Sequence, residues 1–107
     1  MNSIGSLNTA LSGVQANSKA FAATAQNVAN VNTDGYRPVE AVFQSQPEGG
    51  VDVRLHESQQ QPPEAQSGVD LVEEATNAIA YKLGYKANLI SLYQSNKMSG
   101  ALLDIIG

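Results

Sequence analysis

The sequence predicts a mainly α-helical protein. A long N-terminal helix and a long C-terminal helix pair as an antiparallel coiled coil, and a small β-hairpin lies between them. Three observations carry this reading. Ile4, Leu7, Leu11, Val14, Phe21 and Val28 recur at alternating three- and four-residue steps, with Ser18 and Ala25 in the two remaining slots, which is the a/d stripe of a helix that lies along another helix. The C-terminal forty residues hold a second helical pattern with apolar residues on an unusually wide face. The middle alternates apolar and polar residues with a period of two, the pattern of half-buried strands.

The first helix is expected over about residues 3–31, with Asn2 or Ser3 as its cap, since either side chain can accept from the unpaired amides of the first turn. Its flanks are Gly, Ala, Ser, Thr, Asn and Gln with a single charge, Lys19. Small uncharged flanks permit close approach by further helices and suit water poorly. Gly13 costs about 1 kcal/mol relative to Ala in a helix interior. A helix of this composition is marginal alone, so packing must order it. It should stop within the Asn-rich run Asn27 to Tyr36, where Asp34-Gly35 is a turn signal. The residue before Pro38, Arg37, is driven into an extended conformation.

Two strands follow. Val39, Ala41 and Phe43 alternate with Glu40, Val42 and Gln44; Val51, Val53 and Leu55 alternate with Asp52, Arg54 and His56. Pro47-Glu48-Gly49-Gly50 forms the turn between them. A lone hairpin is marginal, so its apolar side must rest on helix or on a neighbour. Residues 59–68 (QQQPPEAQSG) read as a polar, Pro-interrupted linker. The second helix is expected over about 69–104, started by Asp70 and Glu73 in the manner of a capping box, with Glu73 and Glu74 at the positive end of its dipole. Its apolar residues form two stripes: Leu71, Ala75, Ala78, Tyr85, Leu89 and Leu92, and beside them Val72, Ile79, Leu83, Ile90 and Tyr93. That face is wider than one partner covers. Leu102, Leu103, Ile105 and Ile106 add an apolar tail with the character of a docking surface. The chain thus divides into residues 1–35 (helix and turn), 36–68 (hairpin and linker) and 69–107 (helix), within one structural domain.

Composition narrows the function. The 107 residues carry a net charge of −4, with 42% hydrophobic and 15% charged residues. An acidic chain without a basic cluster disfavours nucleic acid. The charge is uneven: residues 1–35 hold Lys19 and Asp34, residues 36–67 hold two Arg against five acids, and residues 68–107 hold three Lys against four acids. Cysteine is absent, which rules out disulfides and thiolate metal sites. No run is long enough for membrane insertion, and the N-terminus lacks the basic and apolar regions of a cleaved signal peptide. Catalytic, metal-binding and cofactor-binding residues are expected to be none. The one histidine, His56, lies on the polar side of a strand as a solvated imidazole, and adjacent Glu73 and Glu74 point to different sides of a helix, which suits a cap rather than acid–base work. The sequence reads as a non-enzyme.

The run ALSGVQANSKAFAATAQNVANVNTDGY, ending in Ala29-Asn30-Val31-Asn32-Thr33-Asp34-Gly35-Tyr36, resembles the N-terminal signature of the bacterial flagellar basal-body rod and hook proteins. The C-terminal run from Val69 is similar to that family's C-terminal helix, with Val69, Glu73, Glu74, Asn77, Ile79, Tyr85, Ala87, Asn88 and Met98 as matching positions. Lys82-Leu83-Gly84 stands where the family usually has Gln-Arg-Ala, Lys97 where an acidic residue is usual, and the middle is shorter than in most members. The resemblance implies a structural subunit of the flagellar rod, in the periplasmic part of the basal body, whose terminal helices assemble with itself and with other axial proteins into a tube. It also implies passage through the type III export apparatus without signal cleavage. Helix pairing and assembly are then expected to run through Ile4, Leu7, Leu11, Val14, Phe21, Val28, Leu71, Val72, Ile79, Leu83, Leu89, Ile90, Tyr93, Leu102 and Leu103. Read from the helical pattern alone, the alternative is a small helical-hairpin adaptor or chaperone that dimerises into a four-helix bundle.

Overall fold

In a computed structural model, the backbone is described for residues 3–106, and side chains for residues 5–98 and 100. Helix α1 spans Ser3–Ala29, strand β1 Val39–Ser45, strand β2 Val51–Glu57 and helix α2 Leu71–Ile106. The molecule is a plank of 66 × 24 × 15 Å. The predicted architecture of two long helices with a hairpin between them is what the chain adopts, with helix limits shifted by about two residues. The cap residue Asn2 and the side chains of Ile4, Leu102 and Leu103 lie outside the described residues.

The helices run antiparallel. Gly13 on α1 lies against Asn88 on α2, and Asn17 lies against Gly84. Ten residues further along α1 and ten residues back along α2, Asn27 meets Glu74. Buried on α1 are Ala10, Gly13, Ala16, Ala20, Ala23, Thr24 and Asn27. On α2, Glu74 is buried, and Asn77, Ala78, Tyr81, Gly84, Asn88, Leu92 and Ser95 are half-buried. The seam is therefore built from small and polar side chains. Axis separation is set by the side chains at the contact, so Gly and Ala let the two backbones approach closely.

The hairpin packs on α1 and reaches α2 through Tyr81. β1 and β2 are antiparallel with Ala41 opposite Leu55 and Phe43 opposite Val53. Gly49 and Gly50 turn the chain at φ of 101° and 89°, a left-handed pair that side-chain-bearing residues rarely adopt. Val53, Ala16 and Ala20 form the core cluster, with Ala41, Val51, Leu55 and Tyr81 packed on it. Phe43 reaches α2, its ring 5.8 Å from that of Tyr81. The hairpin tip is tied to α1 by Ser12, whose Oγ accepts from the Val51 amide at 3.0 Å and donates to the Thr9 carbonyl at 2.7 Å. One side of α1 is thereby covered, and a cleft between β1 and α2 is lined by Glu40, Val42, Glu73 and Asn77.

Residues 58–70 are strapped down rather than free. The Gly35 amide donates to the Gln66 carbonyl, the Gly68 amide to Tyr36, and the Ser58 amide to Pro38; Ser67 Oγ donates to the Val31 carbonyl. Asp70 then caps α2, its Oδ1 accepting from the amides of Val72 and Glu73.

Candidate assembly surface

Two features fix the geometry of the helix pair. The first is a reciprocal crossing built by the same five-residue pattern on each helix, Gly13-Val-Gln-Ala-Asn17 and Gly84-Tyr-Lys-Ala-Asn88. Each Asn donates its Nδ2 to the carbonyl of the Gly four residues earlier on its own helix, at 2.8 Å for Asn17 and 2.7 Å for Asn88. Each also fills the space left by the missing side chain of the opposite Gly; a Cβ at Gly84 would stand 2.5 Å from Asn17 Oδ1. Gly84 thus has a steric reason in this chain.

The second is a junction at the other end. Asn27, 1% exposed, accepts at Oδ1 from the Val39 amide (2.8 Å) and from the Tyr36 hydroxyl (2.9 Å). Its Nδ2 donates to the Val39 carbonyl (2.8 Å) and to both carboxylate oxygens of Glu74 (2.9 and 3.0 Å). One amide therefore closes the end of α1, the start of β1 and the start of α2. Glu74 is 6% exposed. Burial raises its pKa, against the lowering effect of the Asn27 bond, and nearby Glu73, Asp70 and Glu40 raise it further. Burial and the Glu74 charge also raise the Tyr36 and Tyr81 hydroxyls.

The signature turn feeds this junction. The amides of Asn30, Val31, Thr33 and Tyr36 each donate to the carbonyl three residues earlier. Thr33 Oγ1 donates to Asn30 Oδ1, Asn30 Nδ2 to the Gln26 carbonyl, and Gly35 takes a φ of 76°. These tight turns return Tyr36 to Asn27. Glu73, Asn32 and Ala29 are exposed. Asn27 was not singled out from sequence because it reads as one more helix-ending Asn; only its position nine residues before a Tyr hints at more.

The expected pairing residues fall elsewhere. Leu7 and Val14 are half-buried, while Leu11, Phe21, Val28, Leu71, Val72, Ile79, Leu83, Leu89, Ile90 and Tyr93 are exposed. Val72, Ile79 and Leu83 are exposed by 76%, 71% and 68%. Within the chain these stripes do not form the seam, because the small-residue faces beside them approach more closely. Phe21 and Leu89 stand at a cleft between the helices, while Val72, Ile79, Leu83 and Ile90 share the side of α2 turned from Asn77, Gly84 and Asn88 and so from α1. A groove of about 460 Å³ runs between the helices there, lined by Asn17, Ser18, Phe21, Tyr81, Lys82, Tyr85, Lys86 and Leu89. An apolar face thus extends from the α1 stripe, across the groove, to the outer side of α2. It exceeds the few scattered exposed apolar residues of an ordinary monomer.

Little else on the surface is chemical. Among the described residues no group of His, Cys, Asp and Glu is placed to hold a metal ion. His56 Nε2 stands 3.1 Å from Glu40 on the neighbouring strand, both well exposed, a pairing that contributes little in water. Among the described residues no helix is long and apolar enough to cross a membrane.

No curated protein matches the chain. Residues 7–37 match the family described as flagella basal body rod protein. The matched segment runs from within α1 through the signature turn to Arg37, and so contains Gly13, Asn17, Asn27 and Tyr36, the α1 side of both the crossing and the junction. On that segment the chain is similar to the flagellar basal body rod proteins.

Proposed function

We propose that this protein is a structural subunit of the flagellar rod, built into the axial tube through the apolar face that its own hairpin leaves uncovered. The observation that carries this reading is the placement of the large apolar residues. The chain holds itself together with Ala, Gly and Asn and leaves Phe21, Ile79, Leu83, Leu89 and Ile90 for something outside it. Self-association and contact with other axial proteins supply the cover. The reading includes no catalysis and no cofactor. Export through the type III apparatus, without cleavage of a signal, is part of this reading. The direct test is to isolate hook–basal bodies from cells expressing a tagged chain. Co-purification in fixed amount with the rod supports the reading; a chain found wholly outside intact basal bodies contradicts it. A dimeric adaptor remains the second reading, favoured only by the twofold-like crossing of Gly13 and Gly84, which lies inside one chain.

A further inference from the structure

The cleft between β1 and α2, about 370 Å³ in volume, carries the carboxylates of Glu40, Glu73 and Glu74, and no lysine or arginine lines it. His56 faces Glu40 from β2. Two buried polar side chains in the cleft are short of partners. Thr24, 5% exposed, lines it from α1, and its hydroxyl makes no hydrogen bond with the described residues. Glu74 has room for about four donors, yet among the described residues it receives only the Asn27 Nδ2, which also serves the Val39 carbonyl. The backbone adds a third group. Val39 turns its amide and carbonyl away from β2 to meet Asn27. Two residues further along the strand, Ala41 turns its own pair the same way, into the cleft, where no described residue meets them.

We infer that this cleft takes an arginine side chain carried on an extended peptide segment of a partner protein. The described acids are not placed to hold a metal ion. A guanidinium is flat and carries five donors, so it can serve Glu74, Thr24 and the Ala41 carbonyl together while stacking on the Tyr81 ring. An ammonium is more strongly hydrated and has three donors. The Ala41 amide then needs an acceptor, which a peptide carbonyl supplies and a free cation does not. The chain's own arginines do not line the cleft, and Arg37 donates to Gln61. This contact lies apart from the exposed apolar stripes and does not depend on the rod reading.

The test is titration of the full-length, ¹⁵N-labelled protein with a blocked Gly-Arg-Gly tripeptide, followed by NMR. Saturable shifts are expected at Ala41, Glu73, Glu74 and Asn77, with slower amide exchange at Ala41. The same peptide with citrulline, which keeps the shape and loses the charge, should bind about tenfold more weakly, and the lysine peptide should also bind more weakly. E40Q/E73Q should weaken the arginine peptide severalfold; both residues are exposed, so circular dichroism should be unchanged. T24V should weaken it without loss of stability, since the hydroxyl it removes has no partner. Absence of saturable shifts, citrulline or lysine binding as tightly as arginine, or E40Q/E73Q binding as the wild type does would overturn the inference. The same shifts appearing with protein concentration alone would place a second copy in the cleft and overturn the assignment to a partner. None of these outcomes bears on the rod reading, which is judged by presence of the chain in isolated basal bodies.

Discussion

Asn27 shows how much one side chain holds in so thin a molecule. Its amide satisfies both backbone groups of Val39, the Tyr36 hydroxyl and the Glu74 carboxylate. N27A would leave these buried groups without partners, and each such loss costs about 1–3 kcal/mol; urea unfolding should show destabilisation near 3 kcal/mol or more. Glu74 acts in the opposite sense. Its pKa is raised above the ordinary 4.5, so the folded chain keeps a proton over a pH window in which the unfolded chain has lost it. Stability from this group is therefore greatest below about 4.5 and declines as pH rises through the folded pKa. E74Q keeps an acceptor for Asn27 and removes the charge. Unfolding free energy measured against pH should lose that part of the decline, with neutral-pH stability equal to or above that of the wild type. Gly84 is the third such residue. G84A gains about 1 kcal/mol of intrinsic helix preference but drives a Cβ into Asn17, so a net loss of about 1–2 kcal/mol is expected in thermal unfolding. A stabilised G84A would show that the crossing is loose.

The elements were legible in the sequence to different degrees. Both helices and both strands were read from periodicity alone, because a period of 3.6 or 2 survives whatever the partner is. The hairpin turn was legible because Gly49-Gly50 has few alternatives. The helix seam was not. Large apolar side chains dominate a periodic pattern, and in this chain they mark the outer face, while the buried face is written in Ala, Gly and Asn, which carry little hydropathy signal. Gly13 read only as a weak helix position until Asn88 was seen to occupy the space beside it. The linker was legible as polar, but its backbone bonds to the signature turn had no local signature. At this scale the docking of the hairpin is tested by S12A, which removes the acceptor for the Val51 amide. Amide hydrogen exchange should rise at Val51 and the hairpin tip, while the Asn27 junction stays protected.

The whole molecule is a plank in which the hairpin covers α1 and leaves most of α2 exposed. Two helices joined by small residues, with a two-stranded sheet on one of them, bury few large side chains, and such a core gives modest stability. The isolated subunit should therefore gain protection on joining its neighbours. The match of residues 7–37 to the flagella basal body rod family and the exposed apolar residues both support the proposal that assembly completes the stability of the subunit. Because the chain has no cysteine, a single introduced thiol reports on one surface. The most direct measurement compares thiol labelling rates of L83C and F21C in dilute subunit and in isolated basal bodies. Both positions are exposed in the single chain, so fast labelling is expected in dilute protein and at least tenfold slower labelling in the assembled rod. Equal, fast labelling in both states would show that the open face stays in water and is not what the rod is built on.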